Sequence, residues 1–127
     1  MIKTFQCTLN LILASALLLL SATACGSQSA PSIYGQWRGV YDDIEMTLVL
    51  ESNGTITISS VDSAYTGTFT LDTTTTPMQF DMNYAELGYI KTILEFVDEN
   101  TIRIENSNSG DERPTAFSDF ITLVRDQ

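Results

Sequence analysis

The strongest constraint on this chain is a two-residue rhythm. In Ile44-Glu45-Met46-Thr47-Leu48-Val49-Leu50-Glu51, the residues Ile44, Met46, Leu48 and Leu50 share one side, and Glu45, Thr47 and Glu51 share the other. Side chains of an extended strand point alternately to opposite faces, so this segment reads as a half-buried strand. Ser52-Asn53-Gly54 follows, and Asn-Gly accepts the positive φ of a tight hairpin turn. Thr55-Ile56-Thr57-Ile58-Ser59 then alternates again. The unit is a β-hairpin, and no helical stripe or internal repeat competes with it anywhere in the chain.

The same rhythm continues to the C-terminus. It predicts eight strands, at 36–41, 44–52, 55–61, 65–71, 77–83, 90–97, 101–106 and 117–125. Residues 106–116, with Gly110 and Pro114, form the longest loop, and the other connections are short enough to join antiparallel neighbours. The expected fold is all-β, an eight-stranded up-and-down antiparallel barrel in which strand 36–41 pairs with strand 117–125, because closure removes exposed edges. The alternative is a two-sheet sandwich, which needs longer crossing connections. The inward set is Met46, Leu48, Leu50, Ile56, Ile58, Phe69, Leu71, Phe80, Met82, Leu94, Phe96, Ile102 and Ile104. Strands of about seven residues span only about 23 Å, and these side chains are bulky, so a small or absent cavity is expected.

Residues 1–24 stand outside this pattern. Lys3 is followed by the apolar run Leu11–Leu20 and then by Ser21-Ala22-Thr23-Ala24-Cys25. That is the layout of a secretory signal peptide, and the run is about half the length a membrane-spanning helix needs. Ala22-Thr23-Ala24-Cys25 resembles a bacterial lipobox. The resemblance implies cleavage before Cys25, lipidation of Cys25 with acyl chains such as palmitate, and a place in the bacterial cell envelope. Gly26 rather than Asp follows the cysteine. In similar Gram-negative lipoproteins that implies the outer membrane, facing the periplasm. The alternative is an ordinary secreted protein with a free thiol, a liability in an oxidising compartment. The expected organisation is thus a signal peptide at 1–24, the lipidated Cys25 with a flexible tether at 25–33, and the barrel domain at 34–127. Cys7 leaves with the signal, so no disulfide supports the fold.

Charge narrows the partners. The whole chain carries −10, and Lys3 is the only charged residue before Cys25, so the part from Cys25 onward is one unit more acidic. Nucleic acid, which demands a basic patch, is excluded as a partner. An anionic lipid surface would repel the domain, so contact with the membrane is expected through the lipid on Cys25 alone.

Tyr34-Gly35-Gln36-Trp37-Arg38-Gly39 opens the first strand, Gly67-Thr68-Phe69-Thr70-Leu71-Asp72 the fourth, and Arg113-Pro114-Thr115-Ala116-Phe117 precedes the last. The Gly-x-Trp segment resembles the start of lipocalins and other calycin barrels. The Arg-Pro-x-x-Phe and Gly-Thr-aromatic segments resemble those of short bacterial lipocalin-like domains. The resemblance marks Gly35, Trp37, Arg113, Pro114, Phe117 and Arg125 as structural signature residues. It implies that a basic residue at the end of the last strand, here Arg125, packs across Trp37 and closes one end of the barrel. Arg113 is expected to tie down its loop through carbonyls or an acidic neighbour.

Catalysis is not expected. The chain has no His, and no phosphate loop or nucleophile elbow is present. The carboxylates at Asp42-Asp43-Glu45, Asp98-Glu99 and Asp111-Glu112 show no cleft pairing and no calcium-loop spacing, so no metal and no cofactor is predicted. The function expected is a non-catalytic, membrane-anchored module binding a small apolar or amphipathic ligand. The alternative is an envelope protein–protein interaction or inhibitor module with a filled barrel.

Overall fold

In a computed structural model, which describes residues 30–126, the alternating segments form eight strands. They are β1 Gly35–Tyr41, β2 Ile44–Leu50, β3 Thr55–Ser59, β4 Ala64–Asp72, β5 Met78–Tyr84, β6 Gly88–Asp98, β7 Thr101–Glu105 and β8 Phe120–Arg125. The expected signal peptide, Cys25 and most of the tether lie outside the described residues. Each strand pairs antiparallel with the next, and β1 pairs with β8, so the sheet is a closed barrel in sequence order. This is the predicted architecture; the sandwich is ruled out by the β1–β8 ladder, in which Trp37, Arg38 and Gly39 face Arg125, Val124 and Leu123.

Gly39 makes that last ladder possible. A Cβ on it would lie 2.5 Å from the Thr122 carbonyl oxygen and 2.6 Å from a Leu123 methyl. Only a residue without a side chain lets β1 and β8 approach at this seam.

The inward faces of all eight strands meet in one apolar core. Trp37, Leu48, Leu50, Ile56, Phe80, Leu94, Ile102 and Ile104 are buried there, and Ile58, Phe69, Leu71, Met82 and Phe96 pack against them. Of these, Trp37 was expected as a plug and not in the inward set, and the core also takes in Ile33, Tyr84 and Leu123, which that set omitted. Tyr84 continues the Phe80–Met82 face by one more alternation, because β5 runs one residue past its expected end. Buried Thr92 also faces inward, opposite Phe80, and its hydroxyl donates to the Glu105 carbonyl at 2.6 Å.

One expectation needs correction. β8 begins at Phe120, not at 117, so Phe117 belongs to the loop. The amides of Ser118 and Asp119 donate to the Glu105 carboxylate instead of to a neighbouring strand, which delays the ladder. The two-residue connection expected between the first two strands is the Asp42-Asp43 turn. Asp42 and Asp43 both take positive φ, of 52° and 64°, as a two-residue turn of this hand requires. The pair therefore holds a conformation that Asn-Gly would adopt with less strain.

Candidate functional site

The two ends of the barrel differ. At the end where β1 begins and β8 ends, Trp37 is fully buried and its Nε1–H donates to the Ile33 carbonyl at 2.9 Å. The Arg125 guanidinium lies 4.2 Å from the Trp37 ring centroid. It donates to the carbonyls of Tyr34 (3.0 Å), Ser32 (2.6 Å) and Glu99 (3.2 Å). Phe96 meets the indole edge-on at 6.3 Å. Gly35, at φ 130°, leaves room for Arg125: a Cβ there would stand 3.3 Å from Nη1. A stacked cation with three carbonyl partners and a buried indole together plug this end.

The opposite end, which carries the β1–β2, β3–β4 and β5–β6 turns and the long 106–119 connection, is not plugged. Here the barrel holds an apolar hollow of about 170 Å³. Met46, Leu48, Ile58, Met82, Ile90 and Ile121 line its wall. Polar groups border it at few points. The Ser107 hydroxyl is buried without a hydrogen-bond partner among the described residues. The Tyr84 hydroxyl reaches only the Met82 sulfur, at 3.5 Å, and burial pushes its pKa up. At the rim, the Tyr41 hydroxyl and the Asn106 amide both donate to Asp119 Oδ2, at 3.1 Å each. The first of these bonds, with burial and the nearby carboxylates adding, raises the Tyr41 pKa. More open hollows of about 400 and 300 Å³ lie outside the barrel, over β1–β3 and the β3–β4 turn. They are lined by mixed polar and apolar residues, so the interior hollow is the candidate site.

No protein-family model and no curated protein matches the chain. Among solved structures, the crystal structure of pallilysin from Treponema pallidum is similar, with a TM-score of 0.54 at 13% identity, over 77% of this chain and 86% of that one. At that identity the likeness is one of fold alone.

The 106–119 connection is built against the outside of the barrel. Arg113 Nη1 donates to Asp81 Oδ1 at 2.5 Å and to the Thr92 carbonyl at 2.8 Å. The Glu105 carboxylate, only 6% exposed, accepts from Ser118 N, Ser118 Oγ and Asp119 N. Phe117 and Phe120 sit around the Arg103 guanidinium, 4.1 and 5.0 Å from it, and Arg103 is paired with Glu95. Pro114 is half-buried in the same loop. Of the signature residues, Arg113, Pro114 and Phe117 thus belong to this outer brace, and Gly35, Trp37 and Arg125 to the plug.

Sequence reading missed Tyr41, Tyr84, Glu105, Asn106 and Ser107 as site residues. Tyr84 was legible as one more step of the β5 rhythm. Glu105 was not, because on an outward position its burial depends on the loop that covers it.

The Arg113–Asp81 pair predicts an acid response. Burial alone would raise the Asp81 carboxyl, but hydrogen bonds from Arg113 and Tyr89 outweigh it and hold the pKa below the ordinary value. A depressed folded-state pKa contributes stability that is present above the unfolded value of about 3.9 and is lost as pH falls through the folded one. Asp81→Asn is expected to be less stable than the parent at pH 7, with the gap closing towards pH 3. Urea denaturation at the two pH values measures this, and a gap independent of pH would contradict it.

Proposed function

We propose that this chain is a lipid-anchored, lipocalin-like binding module of the bacterial cell envelope. It takes one small apolar or amphipathic ligand into the unplugged end of its barrel and performs no chemistry on it. The observation that carries this reading is the apolar hollow at one end of a barrel whose other end is sealed by Trp37 and Arg125. Eight-stranded barrels are either filled by their own side chains or hold one small molecule. At about 170 Å³ the hollow is below the usual ligand-site range of about 300–1,000 Å³, and close to the engineered cavity of about 150 Å³ that admits benzene. The ligand is therefore compact, or only its apolar part enters.

The braced 106–119 loop favours a second reading, a protein-binding module that presents this loop while the barrel stays filled. Native mass spectrometry after gentle extraction from membranes separates the two. A co-purifying small molecule supports the ligand reading; a stoichiometric protein partner with an empty barrel overturns it.

Anchoring is tested separately. Cys25→Ser should shift the protein from the membrane fraction to soluble or unprocessed material. Unchanged fractionation would remove the lipid anchor from the proposal.

A further inference from the structure

We propose that the ligand is a small cationic amphiphile, a compact apolar body carrying an amine. This rests on the reading that the interior hollow is a ligand site, and it is carried by the charge around the mouth. Every connection at the unplugged end bears carboxylates: Asp42 and Asp43, Asp62, Glu86, and Asp119. Three of these are one step from the lining. Asp42 follows Tyr41, Glu86 precedes Leu87, and Asp119 accepts hydrogen bonds from Tyr41 and Asn106; Tyr41, Leu87 and Asn106 all line the hollow. Among the described residues, the nearby cations are already engaged. Arg113, in the same set of connections, is tied to Asp81, and Lys91 faces outward from β6 over the Tyr89 ring.

A ligand filling this end meets two environments in order. Its body desolvates against Met46, Met82, Leu48, Ile58 and Ile90, and the two thioethers adapt to an irregular shape. Its head stays at the rim, in a field of one sign beside low-dielectric walls, which concentrates a counter-charge. A carboxylate head would be repelled from the same place, and a neutral head would gain nothing from it. The unpartnered Ser107 hydroxyl and the Tyr84 hydroxyl, whose only partner is a thioether, are free to accept from an ammonium group within the mouth.

The test uses three probes of one shape, benzylamine, benzyl alcohol and benzoate, titrated at pH 7 and low salt into the full-length protein. The ε-methyl NMR signals of Met46 and Met82 report occupancy locally. Benzylamine should bind about five- to tenfold tighter than benzyl alcohol, with benzoate weakest, and the preference should shrink as salt screens the rim. In the variant Asp42→Asn, Glu86→Gln, Asp119→Asn, benzylamine should fall to the affinity of the alcohol. Equal binding of all three probes, or an amine preference that survives in the variant, overturns the cationic class and leaves the ligand site standing. No shift with any probe overturns the ligand site and this inference with it.

Discussion

Trp37→Ala should cost about 3–5 kcal/mol of stability, as expected when a large, fully buried aromatic is truncated. The indole fills the sealed end, lies against Phe96 and Arg125, and donates to the Ile33 carbonyl. Its removal leaves a void, an unpaired carbonyl and a guanidinium with no surface to stack on. Arg125→Ala should cost less, since it removes the stacking and three carbonyl partners but little core volume. The two losses should couple by about 0.5–2 kcal/mol in a double-mutant cycle read by denaturation. Strictly additive losses would mean that the stacking contributes nothing. Arg125→Lys should recover only part, because an ammonium lacks the planar fork that spans the Tyr34, Ser32 and Glu99 carbonyls.

The second large effect is expected at Glu105. Glu105→Ala should cost about 2–4 kcal/mol, because it strands the amides of Ser118 and Asp119 and the Ser118 hydroxyl in a covered site. The loss should be local before it is global. Hydrogen exchange at the Ser118 and Asp119 amides should accelerate strongly while the β1–β2 ladder stays protected. Glu105→Gln keeps an acceptor and should recover part of the stability. If exchange rises equally across the barrel, the carboxylate is holding the fold and not the loop. Because Asn106 and Ser107 lie at the start of this loop and line the hollow, the same variant should also weaken probe binding at the Met46 and Met82 methyls.

The sequence by itself determined the number of strands, their order and most of their inward faces. It could do so because an antiparallel meander is written locally: each strand needs only the alternation of its own residues and a short turn to its neighbour. Ile44–Leu50, the Asn53-Gly54 turn and Thr55–Ser59 carried that information without help from the rest of the chain. Trp37 was legible for the same reason, as a large aromatic on an inward position beside glycines. Closure, the pairing of the first and last strands and the stacking of Arg125 on Trp37 were also expected from the sequence; what only the tertiary structure decided was which distant groups meet once the barrel closes. The β1–β8 seam requires that Gly39 meet the Thr122 backbone, across most of the barrel's sequence. The hollow exists because Trp37 and Arg125 fill one end and, among the described residues, no counterpart reaches across the other. Phe117 fell outside β8 because a carboxylate on a neighbouring strand, Glu105, captured the amides next to it. Glu105 itself shows the limit most clearly: alternation assigned it outward, correctly, but its burial came from a loop folding back over that face. Alternation records which way a side chain points; it holds no information on what distant segment arrives to cover it.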